Sequence, residues 1–100
     1  MALNTPSTLE SSARRLFPNQ SLENILAELL LERAQKNLIK YQTMTRQFRG
    51  KYGKEFAAFR QEVLVSKLGF KLEQDYFNWE LAETGIQDME EEIKRLRKLV

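Results

Sequence analysis

The chain has 100 residues, 42% of them hydrophobic and 30% charged, and it carries a formal net charge of +2 with neither Cys nor His. That length supports one domain at most. The missing residue types exclude disulfides, the usual zinc ligands and every Cys–His or Ser–His nucleophile pair, and with them the side chain that most readily shuttles protons near pH 7. Gly and Pro total six, which suits a chain made mostly of helix. No run of eighteen apolar residues is present, so no membrane span is expected, and a cytoplasmic setting is the expectation. No pair of acids sits in an apolar setting that would tune it for catalysis. The chain therefore reads as a non-enzyme that needs no cofactor.

Residues 1–20 are rich in Ser, Thr and Asn and are broken by Pro6 and Pro18. Leu9, Ala13, Leu16 and Phe17 could form an amphipathic turn or two, with Arg14 and Arg15 on the other side. An acid-poor start bearing Arg and Ser is shared with organelle transit peptides. A flexible arm that orders on a partner is the favoured reading.

Ser21 is a natural N-cap, and the pattern then runs without Gly or Pro to Arg49, giving a first long helix over about 21–49. Its first half is apolar nearly all round, through Leu22, Ile25, Leu26, Leu29, Leu30 and Leu31. A face that broad must be covered on more than one side. Three helices of this size have little with which to cover it, so pairing with a second copy or with a partner protein is expected. The second half narrows to a heptad stripe of Leu31, Ala34, Leu38, Tyr41, Thr45, Phe48 and Tyr52. Gly50 and Gly53 bracket Lys51-Tyr52 as a C-cap and tight turn.

A short helix is expected over about 54–67, with Phe56, Phe59, Val63 and Leu64 on one face and Gly69 ending it. Phe70 to Leu72 alternates and reads as a brief extended linker. Asp75 then caps a last helix over about 75–100. There Trp79, Ala82, Ile86, Met89, Ile93, Leu96 and Val100 recur at alternating steps of three and four. This spacing keeps one seam on one side of a slightly supercoiled helix, which another helix must cover. Glu91 precedes Arg95 by four residues, the favourable order for a surface pair. Gly85 interrupts this helix, as a mark of close helix approach or as a tolerated defect.

The two heptad seams are of similar length. The expected fold is therefore all-α: two long helices in an antiparallel coiled-coil-like hairpin, a short helix at the hinge, and closure as a dimer. The same C-terminal seam is equally satisfied within the chain or between chains.

Three features bear on function. Residues 1–72 carry 12 basic and 6 acidic side chains, and residues 73–100 carry 4 and 8. Lys36, Lys40, Arg46, Arg49, Lys51 and Lys54 are the candidate nucleic-acid contacts, interleaved with Tyr41, Phe48 and Tyr52. Those aromatics fall on the heptad stripe, which assigns them to a core, and no helix-turn-helix, zinc-finger or RNP signature is present. The leucine-rich surface of Leu22, Ile25, Leu26, Leu29 and Leu30 is the first candidate protein interface. Tyr76 and Trp79, in the run Asp75-Tyr76-Phe77-Asn78-Trp79-Glu80, are the second, with burial against Phe56 and Phe59 the favoured reading. Ile86, Met89, Ile93 and Leu96 form the helix seam.

Lys51-Tyr52-Gly53 followed by Phe56 and Phe59, then Glu73-Gln74-Asp75-Tyr76-Phe77-Asn78-Trp79-Glu80 before a charged terminal helix, resembles a group of short helical prokaryotic proteins. These are the antitoxin-like members of toxin–antitoxin gene pairs. The resemblance covers roughly residues 25–100 and brings no catalytic chemistry. It implies an oligomeric protein that neutralises a cognate toxin by masking its surface. The arm before Ser21 is not part of the pattern, and the DNA-binding module many antitoxins use for autoregulation has no counterpart here. Two further classes stay open: a small basic nucleic-acid-binding protein and a structural adaptor of a larger assembly.

Overall fold

The computed structural model describes residues 7–66 and 69–100, and among them the chain is all-helical. Four helices follow in order: α1 (Ser7–Leu16), α2 (Leu22–Tyr52), α3 (Phe56–Val65) and α4 (Phe70–Arg97). The arm thus contains a ten-residue helix, although no residue of α1 is buried. Pro18 cannot continue α1, and Asn19 turns the chain in the left-handed region at φ 64°. Asn accepts that conformation more readily than most residues.

The start and end of α2 have local causes. Ser21 adopts an extended conformation, and its Oγ accepts the Asn24 backbone N–H at 3.1 Å. That occupies one of the donors a helix start leaves unpaired. At the other end Gly53 sits at φ 64° and donates its N–H to the Arg49 carbonyl at 2.8 Å, an αL cap. Gly50 lies inside the helix instead of opening a turn. The single residue that needs positive φ is Gly53, so α2 continues through Tyr52.

Three further expectations shift. The short helix α3 spans Phe56–Val65, and Leu64 is exposed rather than on its inner face; its expected end at Lys67 lies outside the described residues. The last long helix starts earlier than Asp75. Gly69 is its N-cap, so Phe70 to Leu72 are helical and not an extended linker. Asp75 has no capping role because its carboxylate is taken by Lys51 and Tyr52 of α2. Finally, α4 ends at Arg97, which leaves Val100 beyond the helix and exposed rather than in the seam.

The long helices α2 and α4 pack together, and α3 packs on α4. Ala34, Ile93 and Leu96 form a buried cluster flanked by Leu31, Leu38 and Met89. Midway, the ring of Tyr41 lies where a Cβ on Gly85 would stand. Beyond it, at the end where α3 turns back, the rings of Phe48, Tyr52, Phe56 and Phe59 surround Trp79 at centroid distances of 5.6, 6.1, 5.4 and 5.1 Å. Thr45 is the buried polar member of the α2 seam, and its hydroxyl has no partner among the described residues. Such a group costs about 1–3 kcal/mol. The molecule measures 57 × 24 × 24 Å.

Candidate interaction surfaces

A rod about two helices thick cannot hide every apolar residue of a long helix. Leu22, Leu26 and Leu29 recur at four and three residues and are 39%, 49% and 46% exposed; Leu30 beside them is 51% exposed. Ile25 differs from its neighbours in being buried, so it belongs to the fold and not to the open face. Leu99 and Val100 are also exposed, and Leu99 lines a small pocket with Ser21, Asn24 and Ala27, which places it at the same end of the rod.

The second candidate surface is divided. Trp79 has no exposed surface, and its indole N–H donates to Glu83 Oε1 at 3.2 Å. It is the centre of the aromatic box and is out of a partner's reach. Tyr76 is half-buried, stacks on Phe56 and donates its hydroxyl to Glu80 Oε2 at 2.9 Å. That bond to a carboxylate raises the Tyr76 pKa, with burial second. The exposed aromatic of this run is Phe77, 62% exposed, with Leu81 one turn later at 57%. Phe77 belongs to the run that the sequence singles out, although Tyr76 and Trp79 are its chosen contacts there, and Leu81 is not singled out. The available signal was phase: residues 77 and 81 fall outside the stripe that contains Trp79, Ala82 and Ile86. In the seam itself, Ile93 and Leu96 are buried and Ile86 and Met89 half-buried.

Four of the six candidate nucleic-acid contacts have acidic partners in their own chain. Lys36 pairs with Glu32 at 3.3 Å, Arg49 with Glu55 at 3.6 Å, Lys51 with Asp75 at 2.6 Å, and Lys54 with Glu62. Lys40 lies 6.0 Å from the Tyr41 ring centroid, and Arg46 is exposed. The interleaved aromatics are committed too, since Phe48 and Tyr52 belong to the Trp79 box and Tyr41 covers Gly85. All three rings are half-buried and packed against the fold, which leaves less face for base stacking.

The Lys51–Asp75 contact is part of a three-residue tie between α2 and α4. Asp75 Oδ2 also accepts the Tyr52 hydroxyl. The hydrogen bonds from Lys51 and then Tyr52 hold the Asp75 carboxyl below the usual carboxylate range. The Asp75 bond raises the Lys51 pKa, and burial followed by the same carboxylate raises that of Tyr52. A depressed carboxyl contributes stability that is complete above its unfolded-state pKa of about 4 and is lost as pH falls through the lower folded value. Asp75→Asn is therefore expected to cost about 1–2 kcal/mol at neutral pH. It should also flatten the stability profile below about pH 4. Urea titrations across pH 2–7 on both proteins check this; parallel profiles would remove the tie from the stability account.

No group of three or more His, Cys, Asp or Glu side chains is placed to hold a metal ion among the described residues. Nor is any helix among them long and apolar enough to cross a membrane. Comparison of the chain with protein-family models, with curated proteins and with solved structures returned no match.

Proposed function

We propose that this chain is a non-enzymatic protein–protein interaction module that pairs with a second copy and masks a partner protein. Its α2–α4 pair is read as an antiparallel coiled-coil-like hairpin, supported by Tyr52 meeting Asp75 while Ala34 clusters with Ile93 and Leu96. The observation that carries the proposal is the open leucine face of α2. A compact protein of 11.8 kDa exposes about 5,900 Å². This chain exposes 7930 Å². The excess of about 2,000 Å² goes with the elongated shape and leaves room for the roughly 800 Å² per partner that a standard interface buries.

The partner assignment rests on the resemblance to antitoxin-like proteins: a prokaryotic, cytoplasmic inhibitor of the product of a neighbouring gene. Expression of that neighbour alone and together with this chain tests it. The expected result is growth arrest relieved by co-expression, with co-purification of the two products. A harmless neighbour that does not co-purify overturns the assignment. Nucleic-acid binding is the alternative reading, and absence of binding to generic DNA or RNA at low salt removes it.

The pairing is tested separately. Leu26→Glu with Leu30→Glu is expected to raise the dimer dissociation constant at least about 100-fold while helix content is kept. Sedimentation and far-UV circular dichroism measure both quantities. An unchanged dimer, or a folded wild-type monomer, assigns the face to something other than self-pairing.

A further inference from the structure

The net charge of +2 conceals two opposed helices. From Arg33 to Lys54 the chain has seven basic side chains and no acidic one; from Glu73 to Glu92 it has eight acidic and no basic ones. The first stretch is most of α2 and its cap, and the second lies within α4. These helices pack side by side through Ala34, Leu38, Ile93 and Leu96. Lys51 and Asp75 tie the two helices together, while Arg33, Lys36, Lys40 and Arg46 of α2 and Asp88, Glu90 and Glu91 of α4 are exposed.

Each of these exposed sides also has a heptad stripe of its own. On α2 it is Arg33, Lys36, Lys40, Thr43 and Gln47, beside Ile39, which is 62% exposed. On α4 it is Phe77, Leu81, Thr84, Asp88 and Glu91, all exposed. Steps of three and four on an exposed helix face suit a neighbouring helix, and Phe77, Leu81 and Ile39 supply apolar contact beyond what charge alone gives. Asp88 and Glu91 form no ion pair among the described residues, and neither do Arg33 and Lys40.

We propose that the acidic outer stripe of α4, anchored by Phe77 and Leu81, docks on the basic outer stripe of α2, flanked by Ile39, in a second copy of this chain. The occupant follows from complementarity: the cationic, partly apolar helical surface that the α4 stripe requires is displayed by the chain itself. The contact is heterologous, joining two different surfaces, so each docked copy still offers one free stripe and the assembly extends. On α2 it continues the leucine face, since Leu26, Leu29, Arg33, Lys36 and Lys40 recur at steps of three and four along one side, and it does not depend on the partner-masking function.

Ionic strength discriminates this contact from the leucine one. The screening length falls from about 20 Å at ~25 mM salt to about 4 Å at ~0.5 M. Light scattering and sedimentation of the full chain should show a mass at low salt that exceeds the high-salt mass at least twofold. A charge-neutral Leu26→Ala/Leu30→Ala variant should retain that salt-sensitive step. Arg33→Glu/Lys40→Glu and Asp88→Lys/Glu91→Lys should each abolish it, and mixing the two reversed variants should restore a complex of one with the other. A wild-type mass that does not change with salt overturns the proposal, as does a failure of the mixed variants to associate. Loss of the low-salt species on nuclease treatment also overturns it, since the basic stripe then holds nucleic acid.

Discussion

Trp79→Ala should remove about 3–5 kcal/mol of stability, the cost of truncating a large buried aromatic. The side chain has no exposed surface, and the rings around it come from both other packed helices, Phe48 and Tyr52 from α2 and Phe56 and Phe59 from α3. Its removal therefore opens a cavity where three helices meet, and those rings cannot all move to fill it. A ten-residue helix such as α3 is too short to persist in water without packing, so its order depends on this contact. Against a typical total of about 5–15 kcal/mol, the loss leaves a chain that is marginal or unfolded. Trp79→Phe, which keeps a ring but gives up the N–H to Glu83, should cost less than half as much. Urea unfolding followed by far-UV circular dichroism measures both, since the alanine variant removes the single tryptophan that fluorescence would follow. A cost below about 1 kcal/mol would mean that the box contributes little to stability.

Gly85→Ala is expected to destabilise by about 1–2 kcal/mol, against the sign that helix propensity predicts. In an open helix the change gains up to about 1 kcal/mol. Here the added Cβ would stand 2.6 Å from Tyr41 Cδ2 and Cε2 and 2.8 Å from Cγ. Because Cγ is the base of the ring, the whole side chain must shift and not just its tip. Gly50→Ala is the internal control: also in a long helix, with nothing within 4 Å of its would-be Cβ, it should stabilise. Combining Gly85→Ala with Tyr41→Ala should return the glycine change to neutral or favourable. Thermal and urea unfolding of this cycle decides the matter; additive effects would place the ring elsewhere.

What the sequence disclosed follows from which forces are local. Ser21 capping α2, the seam from Trp79 to Leu96 and the excess of leucine around Leu26 are all matters of spacing within a few residues. Asp75 misled because, read locally, a carboxylate before three aromatics is a helix start. Its actual partners, Lys51 and Tyr52, are 24 and 23 residues away. Gly85 could be close approach or defect until the Tyr41 ring was located. The same limit applied to Lys51, whose acid, Asp75, is 24 residues away. Phe77 and Leu81 each lie two residues from Trp79, which puts them across the helix from the seam.

The tie between Tyr52 and Asp75 also has a kinetic consequence. Those residues are 23 apart, whereas Ala34 and Ile93 of the distal cluster are 59 apart in sequence. Loop-closure entropy rises as about 1.5 RT ln n, so meeting at the aromatic end first is cheaper by about 0.8 kcal/mol. Each later contact then closes only a small additional loop, and the helices join in register from that end outward like a zip. The open end, where the leucines stand, is the last part of the chain to be ordered.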